Sequence, residues 1–438
     1  MGISNRIRSF LSTTNHAVFC GYATFAAFSV YFCMYAYRKP FSAAAYDGID
    51  AVPLPLLPDL QFKIALIIAQ VLGYTLSKFY GIKFISEVSA SKRTVSLIAL
   101  IALAELALVL FAIVPAPYSV ICLFLNGFPL GMIWGLVFSF LEGRRFTEAL
   151  GAGLSVSYIV SSGAVKSVGS WLMQLGVPEF QMPAVTGLIF FPIFLLVVWL
   201  LSLVPPPTRE DEILRTKREP MYAEERKRVL KLLGPGLFAL VFLYMFLTAY
   251  RDFRDNFAVE LWAALGYGEQ PWILTFSEVP ITLVVLVVLG LLFLIKSNRL
   301  AMDVILLAML GGSALIGLST LAYQFGIVGP AAWMILVGLG LYLAYVPYGC
   351  ILFERMIAAI GFAGTAGFMI YVADAFGYLG SVALLLYKNF GEPNLAWEEF
   401  FVQISYVTSI VCVISFVFAI GYFSPRMRKQ EEEEEIKP

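Results

Sequence analysis

The chain has 438 residues, of which 60% are hydrophobic and 14% charged, and its 30 Lys and Arg balance its 30 Asp and Glu. A soluble domain carries about 25% charge, so the composition excludes a soluble enzyme and leaves little room for any soluble domain. It describes an all-α membrane protein whose surroundings are a lipid bilayer.

A bilayer-spanning helix needs about 20 apolar residues. Such runs cover roughly 16–46, 61–86, 94–114, 117–141, 149–175, 183–204, 233–262, 271–296, 300–325, 330–356, 360–388 and 400–423, twelve in all. No short apolar leader with a cleavage site precedes the first run, so that run is read as a retained span. Runs one and seven are longer than a span needs and are expected to tilt or kink. Pro40 supplies a reason for a kink just after Arg38.

The first run carries Tyr31, Tyr35, Arg38 and Ser42 at i, i+4, i+7 and i+11, one polar stripe on an apolar helix. An arginine at the centre of a span costs at least about 2.5–3.5 kcal/mol, so Arg38 is expected to face water or a partner. Lys39, about 100° further round the helix, either assists there or snorkels elsewhere. Glu105 in span three is expected to find a partner in the bundle. Gly127, Gly131 and Gly135 in span four suit close helix packing. Span five carries the stripe Tyr158, Ser162, Lys166.

A proline-opened, charge-dense linker at 205–231 then separates two halves, 1–204 and 232–425, each of six spans. Tyr244, Thr248, Arg251 and Asp255 repeat the spacing of the first stripe in span seven. Arg251 lies 213 residues after Arg38, and Tyr244 lies 213 after Tyr31. Gly151–Tyr158 and Gly364–Tyr371 keep that offset, as do Lys83 and Lys296. The shared offset predicts two parallel six-helix repeats, with a site at mid-membrane. Two guanidinium forks from opposite repeats suit a tetrahedral dianion such as phosphate. The blander reading is that each arginine neutralises an acid in the bundle, with Asp255 one turn from Arg251.

Glu278 stands before Pro280 in span eight, and Asp374 lies in the stripe Tyr371, Asp374, Tyr378 of span eleven. Intramembrane acids are functional candidates. Asp374 either relays a proton or pairs with Lys166 or an arginine as a gate. Tyr22, Tyr31, Tyr35, Tyr37, Tyr342, Tyr345 and Tyr348 either line a path or pack. Gly311, Gly312, Gly338 and Gly340 add small surfaces. The tail from 426, with its run Glu431–Glu435, reads as solvated.

The positive-inside rule orients the chain. With the N-terminus cytoplasmic, 22 of the 30 basic residues fall inside and only Lys63 and Lys388 outside. Both termini are then cytoplasmic. The expected location is a bacterial inner membrane, which the lack of an Asn-x-Ser/Thr sequon matches. One histidine, His16, and five cysteines in apolar runs without CxxC spacing give no metal site, and no cofactor is expected. No nucleophile stands beside a base, so no enzyme activity is expected. The predicted partners are a small anionic substrate and lipid, with no nucleic acid. No oligomeric signal is present, and a monomer is expected.

Several fragments resemble the organophosphate:phosphate antiporters of the major facilitator superfamily, the glycerol-phosphate and hexose-phosphate transporters. They are Tyr37-Arg38-Lys39, Gly73-Tyr74-Thr75-Leu76-Ser77-Lys78-Phe79, Arg251, Ser277-Glu278, Gly364-Thr365-Ala366-Gly367-Phe368 and Phe376-Gly377-Tyr378-Leu379-Gly380. The resemblance implies that Arg38 and Arg251 bind phosphate beside Lys39, and that phosphate exchanges for a phosphorylated metabolite. Span five reads Tyr158 to Lys166 where the family carries a site histidine. Two rivals stay open. One is a proton-coupled symporter of a carboxylate or another anion, using Asp374 or Asp255. The other is a membrane sensor on a transporter fold.

Overall fold

The computed structural model describes residues 3–49, 52–54, 57–89, 91–142, 144, 147–207, 223–360 and 366–435. Most of the expected linker (208–222), Gly364 with Thr365 of the repeated Gly364–Tyr371 motif, and the last three residues of the tail lie outside these. The chain forms two compact units, 1–215 with 255–276, and 216–254 with 277–438.

In the first unit α1 (Ile3–Thr13) precedes α2 (His16–Arg38), whose start is capped by the Asn15 side chain accepting from Val18 N at 2.9 Å. The expected run 16–46 is not one helix. It ends at Arg38, and a 3₁₀ turn covers Pro40–Ala43. Pro40 has no N–H to continue the ladder. Arg38 is therefore the last residue of α2 rather than a mid-helix charge. A short antiparallel pair, β1 (Val52–Leu54) with β2 (Leu57–Leu60), was not foreseen and lies before α3 (Phe62–Glu87).

The unit continues with α4 (Arg93–Ile113), α5 (Val120–Leu130), α6 (Ile133–Phe138), α7 (Thr147–Gln174) and α8 (Met182–Ser202). Helix α3 packs along α5, and α2 packs against α7 and α8. The α3–α5 approach needs glycine. A Cβ on Gly73 would lie 2.1 Å from Phe124 O, and one on Gly127 would lie 2.2 Å from Gln70 O.

Helix α9 (Ala223–Asn256) is one helix of 34 residues, and the boundary between the units falls inside it, after Arg254. Its end belongs to the first unit, with α10 (Ala258–Ala264) and α11 (Ile273–Phe276). The second unit contains the rest of α9, then α12 (Glu278–Phe293), α13 (Asn298–Gln324), α14 (Pro330–Cys350), α15 (Leu352–Ile360), α16 (Ala366–Leu386) and α17 (Trp397–Glu435). Helix α13 packs on α14 and α17. Ten helical stretches among the described residues are long and apolar enough to cross a membrane, two of which, Val120–Phe138 and Ile273–Phe293, each comprise two of these helices. Helices α7 and α16, of 28 and 21 residues, stand where the fifth and eleventh spans were expected.

Candidate functional site

In the first unit the stripe of α2 is buried: Tyr31, Tyr35 and Arg38 all face protein. The Arg38 guanidinium lies over the Tyr74 ring, 4.1 Å from its centroid, and 5.7 Å from that of Tyr35. The Tyr31 side chain lies beside Tyr74. The open carbonyls at the end of α2 are met by two amides. Gln70 Nε2 donates to Arg38 O at 2.9 Å, and Asn126 Nδ2 donates to Tyr37 O at 3.0 Å. Gln70 Nε2 also donates to Asn126 Oδ1 at 2.8 Å, and Asn126 Nδ2 to Ala104 O at 3.0 Å. The amide pair fixes the backbone that carries Arg38.

Lys39 does not snorkel. Its ammonium is buried and bonds Asp255 Oδ2 at 2.5 Å and Asn256 Oδ1 at 2.8 Å. Lys166, only 2% exposed, bonds the other oxygen of Asp255 at 2.7 Å and its carbonyl at 2.6 Å. Ser162 donates to the same carboxylate. Two buried ammonium groups thus share one acid. Two pairings that the sequence left open are not the ones formed: Asp255 bonds these lysines, and Lys166 bonds Asp255. Lys63, expected on the outer side, is buried as well, and pairs with Glu260.

In the second unit Arg251 pairs with its own neighbour Asp252. Nε and an Nη donate to Asp252 Oδ1 at 3.0 and 2.6 Å. The guanidinium also lies over Tyr345, 4.5 Å from the ring centroid, and donates to its hydroxyl. Tyr345 and Tyr244 share a hydroxyl–hydroxyl bond of 2.9 Å, and Tyr244 donates to Asp374 Oδ1 at 2.7 Å. Ser381 donates to the second oxygen of Asp252 at 2.6 Å. Glu278 forms a buried pair with Arg254 at 2.8 Å, and Arg254 also donates to Met334 O at 3.1 Å. Room for that guanidinium comes from Gly338, where a Cβ would lie 2.6 Å from it.

Sequence reasoning missed Asp252, Asn256, Gln70, Asn126, Ser381 and Glu260. One signal was available: Asp252 stands 213 residues after Lys39, in the register that relates the two arginines.

Residues 40–426 match DUF5690, a family of unknown function. The chain belongs to this family. No curated protein matches its sequence. Solved structures do match. A D-xylose-proton symporter aligns with a TM-score of 0.61 at 15% identity, over 94% of this chain and 98% of its own. A peptide transporter aligns with a TM-score of 0.61 at 12% identity, over 98% of this chain and 100% of its own. A bacterial homologue of the human lysosomal transporter Spinster, inward-facing and unoccupied, aligns at 0.56 and 12%, over 94% and 98%. At such identities the likeness concerns the fold, and the fold is that of the major facilitator superfamily.

Proposed function

We propose that this DUF5690 chain is a secondary transporter of a small anion, of the phosphate or organophosphate class, working by alternating access. The observation that carries the reading is the buried basic cluster of the first unit. Lys39 and Lys166 both bond the carboxylate of Asp255, and Lys39 directly follows Arg38 on its tyrosine platform. Buried cations demand compensation, and an anion of two charges supplies it to a planar fork and to ammonium groups together.

Arg251 is the repeat-related fork. Its contact with Asp252 supplies the charge balance that an arriving anion competes with. Binding of the anion offsets repulsion among the cations and so favours the conformations that enclose it, and a carrier that changes state only when loaded performs exchange. Asp255 acts as the internal substitute for the anion at Lys39 and Lys166. The proposed location is a bacterial inner membrane with both termini cytoplasmic, following the basic residues of the loops.

The test is counterflow of labelled phosphate into vesicles loaded with unlabelled phosphate, with wild type, Arg38→Lys and Arg251→Lys. Exchange that is lost in both variants supports the reading. A well-folded wild type without exchange of phosphate or of a panel of organophosphates overturns it.

A further inference from the structure

Glu105 is the acid that the cluster above does not use. It lies on the buried face of α4 and is 8% exposed. Both carboxyl oxygens are buried and neither has a hydrogen-bond partner among the described residues. Among the described residues the expected bundle partner is therefore not found. The groups facing it are few. Helix α2 presents Tyr37, whose hydroxyl is likewise buried without a hydrogen bond, and Cys33 one turn earlier. Helix α8 presents Gly187, where a Cβ would stand 2.0 Å from Oε2 and 3.1 Å from the Tyr37 ring. Helix α5 presents Asn126, which binds the carbonyl of the preceding residue, Ala104. Tyr37 and Cys33 are the titratable groups in this set, and it holds no cation.

A carboxylate with no cation and no donor is a costly charge to bury, and the neutral acid is the form that such surroundings accept. The same surroundings give the acid a route to the anion cluster. Asn126 ties Ala104, beside Glu105, to Tyr37, beside Arg38, and Gln70 ties Asn126 to Arg38 itself. These bonds link the backbone beside Glu105 to the last turn of α2, the turn that places Arg38.

We propose that Glu105 is a reversible proton-binding site of the first unit and that its occupancy couples a pH gradient to the movement of the anion. The inference rests on the transporter reading for its consequence but not for the site. Release of one proton leaves one negative charge between α2, α4 and α8. The Tyr37 hydroxyl is the donor placed to meet it. Gly187 supplies the space in which the carboxyl changes state.

The experiment uses the full chain in lipid. Infrared spectra of wild type and Glu105→Gln are compared over a pH series. Labelled phosphate uptake is measured with and without an inward acid gradient. The expected result is a carbonyl band of a protonated acid at neutral pH, missing from Glu105→Gln, which fades reversibly as pH rises. Gradient-driven accumulation falls about tenfold or more in that variant, while exchange without a gradient stays within about twofold of wild type. A second variant, Gly187→Ala, crowds the carboxyl and shifts the band, which serves if Glu105→Gln does not fold.

Absence of the band, or a band that persists at every pH where the chain stays folded, overturns the site. A titrating band with equal gradient-driven accumulation in both proteins overturns the coupling. If neither protein moves phosphate while the band still titrates, the anion reading fails and the proton site stands.

Discussion

Arg38 and Arg251 hold the same register in the two sequence repeats, and each rests on a tyrosine that neighbours another tyrosine seven residues before the arginine. In the first unit that platform is Tyr74, beside Tyr31. In the second it is Tyr345, bonded to Tyr244. The platforms come from helices that the repeat does not relate, α3 and α14, so the arrangement is reproduced by different means. What differs is the next residue. Lys39 follows Arg38 and adds a charge, whereas Asp252 follows Arg251 and cancels one. The first cradle sets two lysines on one acid, Asp255, and the second is balanced within a single dipeptide. A repeated sequence register need not carry a repeated electrostatic role.

The largest effect should come from the acid that stabilises the first cradle. Asp255→Asn leaves Lys39 and Lys166 buried without their shared carboxylate, a loss of about 3–5 kcal/mol for a broken buried pair. Thermal unfolding in detergent should show a drop in Tm larger than that of Asp252→Asn, because the Arg251 side chain is 16% exposed and water can help it. Equal drops would erase the distinction between the cradles.

Next come the forks themselves. Arg38→Lys and Arg251→Lys keep the charge but remove planar recognition, where a hydrogen bond to a charged group contributes about 1.5–3 kcal/mol. Phosphate counterflow should fall roughly tenfold or more in each. A variant with unchanged flux would take its arginine out of the anion's path.

A smaller change sharpens the comparison. Asp252→Asn removes the internal competitor of Arg251 and makes the second cradle resemble the first. Phosphate binding to purified protein, read by calorimetry, should tighten several-fold. Unchanged affinity would show that Arg251 does not meet the anion. Least of all, Tyr345→Phe keeps the ring under Arg251 and deletes the hydroxyl that bonds Tyr244 and accepts from Arg251. A cost of about 1–2 kcal/mol in unfolding free energy is expected, with Tyr74→Phe giving a smaller figure in the first unit. A much larger loss for either would show that the hydroxyl, not the ring, holds the arginine.

The helices were legible because long apolar runs in a membrane protein have one physical outcome: every backbone polar group must be paired within the segment. The stripe Tyr31, Tyr35, Arg38 was legible for the same reason, since helical spacing fixes which residues share a face. Partners were much less so. Asp255 and Arg251 stand at helical spacing, yet Asp255 reaches Lys39 and Lys166, which are distant in the chain. Spacing along one helix cannot report such pairs. Arg251 takes Asp252, an i,i+1 neighbour, because a long guanidinium side chain can fold back along its own turn. Helix ends were blurred where apolar sequence continues past a proline, as it does from Pro40 to Tyr46. Glu105 shows the opposite limit: its position was visible, but an acid without a bonding partner can be recognised only when its neighbours are in place.

Arg38 closes a helix, and a helix ends in a negative pole that favours a cation but weakens its pull on anything else. Two of the carbonyls that make up this pole, those of Tyr37 and Arg38, are occupied by the amides of Asn126 and Gln70. These uncharged side chains act as a dielectric shim. They blunt the negative pole without adding a charge of their own and leave the guanidinium's field to project away from the helix. If the proposed anion binds there, how firmly the chain holds it is set by two neutral residues as well as by its charged ones.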